Sequence, residues 1–394
     1  MNKDLFFQHI AQTSHFPLLL EIVKGEGIYL YDNAGKRYTD LISGIAVSNL
    51  GHRHPAVLAA IKHQMDSYLH LMVYGEYVQS PQVKLASMLA SQLPTNLQSV
   101  YFVNSGSEAI EGAMKLAKRY TGRTGIISFK NAYHGSTHGA LSICGEESLK
   151  QAYRPLLPDI QILEFNSIKD ISAITQKTAC VVMEPIQGEA GVIPATAMFL
   201  DLVRSRCNET GTLLIFDEIQ TGYGRTGNLF AFQGYNVIPD ILCLAKGMGG
   251  GLPLGAFISS RGIMECLKTE PVLGHITTFG GNALSCAASL ATLNVILNES
   301  LYNKTKEKGE LFRRLLKHPS IKEFRGVGLM IALEFQTEEI CLTITQKCLE
   351  KGLITDWFLF ARNCMRIAPP LIIEEKEIIE ACDIIICSIN EVMC

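Results

Sequence analysis

Lys246 stands where an apolar run meets a cluster of glycines. It follows residues 241–245 and precedes Gly247, Gly249, Gly250, Gly251 and Gly255. Such a pattern reads as a buried strand delivering an amine to a tight loop. Burial lowers a lysine's pKa, which suits a Schiff-base nucleophile. Alone, the stretch also fits a surface lysine in a turn. Asp217 closes a second apolar run, 213–216. Burial there raises a carboxyl's pKa unless a cation keeps it ionised, and a protonated ring nitrogen is such a cation. The third feature is the turn Ser105-Gly106-Ser107, between an apolar run at 100–103 and a helical pattern over 108–120. Small residues at a helix amino terminus offer free N–H groups and the positive dipole end to a phosphate. Serine there is equally an ordinary N-cap. An amine, a carboxylate and a phosphate cradle together are what pyridoxal phosphate requires. Tyr133 could stack on its ring, or simply close the core. Gln220 could donate to the ring hydroxyl, or be a turn residue.

These residues need a scaffold that brings them together. Residues 125–129 lead to Tyr133-His134-Gly135, 179–183 to Glu184, 213–216 to Asp217 and 241–245 to Lys246. Helical spacing lies between them, as at 198–210, closed by Gly211. Strand and helix in alternation, with near-continuous apolar strands, predict a mainly parallel α/β sheet. Ligands bind beyond the carboxyl ends of such strands, and the polar residues all fall there. Earlier, 27–32 and 37–41 read as strand, turn and strand, and 55–69 as a helix. A long helical segment begins after Asn282. Further on, a strand is expected around 329–335, a short one over 365–371 stopped by prolines, and a helix over 374–387. The expected organisation is a segment 1–50 packing with the small domain, a large cofactor-binding domain 51–290, and a small C-terminal α/β domain 291–394.

Composition narrows the function. The chain has 394 residues, 47% hydrophobic and 19% charged, with a formal net charge of -3. That supports a sizeable core and gives no basic surface for nucleic acid. No signal-peptide pattern and no run of 18 apolar residues is present, so neither export nor membrane spanning is expected. Twelve cysteines without a C-x-x-C pair and ten histidines without H-E-x-x-H spacing argue against a metal site. Buried thiols in a reducing cytoplasm are the expectation.

The ordered motifs now carry a resemblance. They are N-S-G-S-E-A at 104–109, A-Y-H-G at 132–135, E-P-I-Q-G-E at 184–189 and F-D-E-I-Q-T-G-Y-G-R-T-G at 216–227. A-K-G-M-G-G-G at 245–251, T-T-F-G-G-N at 277–282 and R-I-A-P-P-L at 366–371 complete them. Over nearly its whole length the chain resembles the class III pyridoxal-phosphate aminotransferases, most closely the acetylornithine and ornithine group. The resemblance implies the aspartate-aminotransferase type of fold (fold type I), with a mainly parallel seven-stranded sheet and a smaller α/β domain. It implies that Lys246 carries the cofactor as an internal aldimine and that Asp217 keeps the ring nitrogen protonated. Gly106 and Ser107 would bind the phosphate, and Tyr133 and Ile219 would sandwich the ring. Glu184 and Gln220 would lie at the hydroxyl edge, with His134 also among the cofactor-binding positions. Thr278 would reach the cofactor of the neighbouring subunit, making a homodimer the minimal active unit. Arg366 would clamp the carboxylate of glutamate or 2-oxoglutarate. Glu189 would cover that arginine while an ω-amino donor is bound.

Two positions depart from the pattern. Ser136 stands where many relatives have an arginine that binds a substrate carboxylate, with His138 as one possible substitute cation. Ile45, a substrate-facing position, matches the acetylornithine enzymes rather than the tyrosine of the ornithine enzymes. Trp357, the sole tryptophan, reads as core or as pocket lining. The resulting expectation is transfer of an amino group from an ω-amino compound to 2-oxoglutarate. The alternatives are an aminomutase or decarboxylase of the same fold, or a cofactor-binding module without turnover.

Overall fold

The computed structural model describes residues 2–393. Runs that are apolar at every position form the centre of a seven-stranded sheet. Thr178–Met183, Leu213–Asp217, Ile241–Leu244 and Gly255–Ser259 are buried throughout, as strands covered on both faces must be. The spatial order is Ser99–Val103, Gly255–Ser259, Ile241–Leu244, Leu213–Asp217, Thr178–Met183, Gly125–Phe129, Ile160–Leu163. Gly255–Ser259 runs antiparallel to both neighbours, and the other pairs are parallel. The expected mainly parallel α/β sheet is therefore present.

Local signals place the flanking helices. Gly106–Thr121 is capped by the Ser105 hydroxyl, which accepts from the Glu108 N–H at 3.2 Å, and it ends on left-handed Gly122. Its apolar stripe, including Ile110, Ala113, Met114 and Ala117, faces the sheet. Ala197–Thr210 is capped by Thr196 and ends at Gly211 with φ 67°. Ala283–Asn298, capped by Asn282, packs against Pro55–Met65 and Ser80–Ser91. No single helix among the described residues is long and apolar enough to cross a membrane.

The carboxyl-terminal part differs from the sequence expectation in its strands. The strand expected around 329–335 is Met330–Glu334, and it forms a hairpin with Glu323–Val327, a strand the sequence reading did not contain. The strand ending before the prolines is Ala361–Ile367, and it pairs with both Met330–Glu334 and the short strand Asp356–Phe358. The last helix spans Glu375–Met393. Near the amino terminus, Arg37–Asp40 pairs in parallel with Leu353–Ile354, so this segment shares a sheet with the carboxyl-terminal part.

Arg225 links these parts. It is fully buried. It donates to Leu329 O at 3.1 Å, to Asn49 Oδ1 at 2.7 Å and to Pro369 O. Asn49 donates to Tyr223 O at 2.9 Å and lies against Gly247, where a Cβ would fall 2.6 Å from Asn49 Nδ2. The amino-terminal segment, the lysine loop and the strand carrying Arg366 are thus tied through one guanidinium.

Gly309 marks a close approach of another kind. In helix Leu301–Leu315 its missing Cβ would lie 2.2 Å from the carbonyl oxygen of Gly328. Backbone on both sides leaves little room to yield. Gly309→Ala gains about 1 kcal/mol of helix propensity, but overpacking here is expected to cost about 1–3 kcal/mol. The expected net result is a lower midpoint in guanidinium denaturation. A midpoint at or above that of the parent would mean the Gly328 turn can shift.

Candidate active site

The carboxyl edge of the large sheet opens on a cavity of about 380 Å³. Strand ends supply its functional groups. Asp217 is the last residue of its strand, Glu184 follows Met183, and Lys246 lies two residues beyond Leu244. Lys246, Asp217, Glu184, Glu189, Gln220, Ile219, Tyr133, His134, Gly106 and Ser107 all line the cavity. Arg366 stands behind Glu189 rather than on the wall. Ile45 is exposed and does not line this cavity, although its neighbour Val47 does. Thr278 is exposed and also lies away from this cavity.

Lys246 opens a short helical turn, Lys246–Gly249, with φ 46°. A left-handed non-glycine residue persists only where its surroundings hold it. Gly247 packed on Asn49 and the bond from Met248 N to Ala245 O at 2.9 Å do so here. Burial moves the lysine's pKa below its ordinary value, and nearby Arg366 pushes the same way while Glu189 opposes both.

Asp217 is 4% exposed. Its Oδ2 lies 2.7 Å from His134 Nδ1, and its Oδ1 accepts from the Ile219 N–H at 3.0 Å. A carboxylate only accepts, so with Asp217 ionised His134 carries its proton on Nδ1. His134 Nε2 is buried without a hydrogen-bond partner among the described residues. Glu184 accepts from the Tyr133 N–H at 3.1 Å and the Gly188 N–H at 2.9 Å. Burial pushes its carboxyl up to about 7, reinforced by Asp217 and opposed by His134.

The phosphate-sized end is built from the amino terminus of helix Gly106–Thr121. The Ser105 side chain occupies the Glu108 N–H, and the Gly106 and Ser107 amides have no protein acceptor among the described residues. A Cβ at 106 would meet Ile219 Cδ1 at 2.8 Å, so any larger residue there must displace the Ile219 side chain. An amine, a buried carboxylate and an open helix terminus around one cavity fit pyridoxal phosphate in number and kind.

Glu189 and Arg366 form a bidentate pair at 3.0 and 2.9 Å, both nearly fully buried. Burial alone would raise the Glu189 carboxyl. The Arg366 charge and its hydrogen bonds outweigh that and hold it below the ordinary value. Asp356 Oδ1 also lies 3.0 Å from Arg366 Nε. The sequence reading does not contain Asp356, because its relation to Arg366 exists only through strand register. Trp357 packs against the core and does not line the cavity. Ser136 is exposed, with its hydroxyl 3.1 Å from the Tyr133 hydroxyl. His138 does not line this cavity, and its Nε2 lies 2.8 Å from Pro155 O.

Comparison with known proteins follows the same lines. Residues 10–389 match the family model described as Aminotransferase class-III. The acetylornithine aminotransferase of Methanopyrus kandleri is 40% identical over 376 residues, covering 95% of this chain and 94% of that protein. The [LysW]-aminoadipate semialdehyde/glutamate semialdehyde transaminase of Sulfolobus acidocaldarius is 39% identical over 336 residues, covering 83% and 85%. Among solved structures, the ornithine aminotransferase from Toxoplasma gondii, with PLP partially occupying its active site, superposes with a TM-score of 0.90. It is 30% identical, and the match covers 100% of this chain and 94% of that one.

The contact at Gly106 is open to a direct test. Gly106→Ala would displace the Ile219 side chain, which lines the cavity, and is expected to weaken pyridoxal phosphate binding by about tenfold. Titration of the cofactor-free protein, followed by absorbance, measures this. An unchanged dissociation constant would show that Ile219 can be accommodated elsewhere.

Proposed function

The chain belongs to the class III aminotransferases, and on that footing we propose how its residues carry the reaction and which substrates it takes. It is a pyridoxal-phosphate-dependent ω-aminotransferase. We assign the acceptor as 2-oxoglutarate and the donor as an ω-amino compound of the acetylornithine or ornithine kind. The observation that carries this assignment is the bidentate Glu189–Arg366 pair, whose glutamate lines the cavity with the arginine behind it. One guanidinium, neutralised by a side chain on one occasion and by a substrate carboxylate on another, suits two substrates that alternate in one site.

The cofactor, when bound, supplies an electron sink for the carbon that loses or gains the amino group. Lys246 is the residue we assign to hold it and to move protons at Nζ. Burial favours its neutral amine, which is the form able to accept a proton. Asp217 would keep a ring nitrogen protonated, and His134 would fix the Asp217 carboxylate from behind. Gly106 and Ser107 would bind phosphate through the helix terminus, with Tyr133 and Ile219 on either face of the ring. Glu184 and Gln220 would stand at the hydroxyl edge.

Glu189 is held to the small unit through its backbone, since its carbonyl accepts from the Phe360 N–H at 3.1 Å. Its side chain also accepts from the Leu359 N–H at 3.0 Å, so exposing Arg366 would take a rotation of the Glu189 side chain that gives up this bond along with the ion pair. We also assign a homodimer in which Thr278 reaches the neighbouring site. The exposed Val272, Leu273, Ile276 and Phe279 around Thr278 support that reading, being apolar side chains that a partner would cover.

Absorbance spectra of the loaded protein test the assignment. N-acetylornithine or ornithine is expected to convert the cofactor to its pyridoxamine form, and 2-oxoglutarate to reverse the change. Borohydride is expected to fix the cofactor on Lys246, as mapped by mass spectrometry. A bound cofactor that no ω-amino donor converts would remove the transaminase assignment. For the gate, Glu189→Ala is expected to raise the rate ratio of the glutamate half-reaction to the ω-amine half-reaction by roughly tenfold. An unaltered ratio would count against Glu189 as the cover.

A further inference from the structure

Arg366 is gripped by more than Glu189. Asp356 is its cross-strand partner in the antiparallel pairing of Asp356–Phe358 with Ala361–Ile367. The Asp356 Oδ1 atom lies 3.0 Å from Arg366 Nε. Trp357 O accepts from Nη2 at 3.0 Å. The guanidinium carbon sits 4.5 Å from the centroid of the Phe358 ring. Three consecutive residues therefore hold one side and one face of the group. Glu189 takes the remaining edge, Nη1 and Nη2.

The contact with Asp356 is an ion pair without hydrogen-bond alignment, since Nε and Oδ1 are both buried and neither has a hydrogen-bond partner among the described residues. Glu189 sets the plane of the guanidinium in this state. Burial raises the Asp356 carboxyl to about 6 while Arg366 pulls it down, so it is charged under mildly alkaline assay conditions.

We propose that Asp356 is a positioning residue that keeps the Arg366 guanidinium seated, its Nη1/Nη2 edge toward the cavity, when Glu189 turns away to admit a substrate carboxylate. The proposal rests on the reading that Arg366 receives that carboxylate. The two carboxylates have different attachments. Asp356 lies on the strand paired with Arg366, so it stays beside the guanidinium whatever Glu189 does. The exchangeable edge is the one on which Glu189 sits. Once Glu189 leaves, Nε–H is free to turn onto Oδ1, completing the bond that is misaligned in the closed arrangement. Without Asp356, a long arginine side chain would have only a carbonyl and a ring to hold it, and part of each carboxylate's binding energy would go into ordering it.

The test is Asp356→Asn in the holoenzyme, with both half-reactions followed by absorbance. KM for glutamate and for 2-oxoglutarate is expected to rise about tenfold more than KM for the ω-amino donor, during whose reaction Glu189 stays on Arg366. Calorimetric titration with glutarate, a dicarboxylate that cannot react, is expected to show a similar loss of affinity without turnover. In the Glu189→Ala background the loss is expected to be larger still, because the guanidinium then lacks both carboxylates. Asp356→Glu keeps the charge and is expected to recover part of the affinity. Melting temperatures of all variants separate these effects from loss of fold. Equal changes in both half-reactions, or unchanged glutarate affinity in a folded Asp356→Asn, would overturn the proposal. A Glu189→Ala variant with an unaltered substrate ratio would instead remove the gate itself, and this proposal with it.

Discussion

The buried guanidinium of Arg225 is the constraint on which the arrangement depends. A charge taken out of water is expensive, and here burial lowers the arginine's pKa to about 9 against the opposing charge of nearby Asp40. What offsets the cost is a set of charge-assisted hydrogen bonds, each worth about 1.5–3 kcal/mol. The acceptors come from separate parts of the chain: Asn49, Leu329 and Pro369. They can be satisfied together only when the amino-terminal segment, the large sheet and the strand ahead of Pro369 are all in place. The lysine loop, resting on Asn49 through Gly247, inherits that position.

The cavity beyond it is organised by desolvation. Burial moves the lysine's pKa down and the Glu184 carboxyl up, each toward its neutral form. Glu189 goes the other way because Arg366 meets both of its oxygens. Burial alone therefore favours the neutral forms of Lys246 and Glu184, and only the opposite charge of Arg366 keeps the equally buried Glu189 ionised. The neighbouring Glu218 shows that a shifted carboxyl need not face the chemistry. Its pKa is also raised to about 7 by burial, yet it binds the Phe232 N–H at 2.7 Å and the Ala231 N–H, anchoring a turn.

Much of this was legible before any coordinates. Strands apolar at every position announced a sheet covered on both faces, and the polar residues after them announced its working edge. Gly255–Ser259 was harder to see. It follows the glycine loop at once and returns antiparallel, so no helical crossover separates it from the strand before it. The hairpin of Asp356–Phe358 with Ala361–Ile367 was missed for a related reason. Its turn is short, and a bulge falls between Trp357 and Phe358, which breaks the alternation a strand pattern depends on.

Residue type and order determined the kind of chemistry here: a lysine after a buried strand, an aspartate ending another, and a serine–glycine turn opening a helix. Those are local facts, set by burial along a strand and by the free amides of a helix terminus. Tertiary structure decided who stands next to whom. That Glu189 meets Arg366 from 177 residues away, which only the resemblance implied, that Asp356 meets the same guanidinium across a strand pair, and that His134 meets Asp217 all depend on register and packing. Such contacts leave no trace in spacing along the chain, because they are made between elements whose relative placement is chosen by the core as a whole.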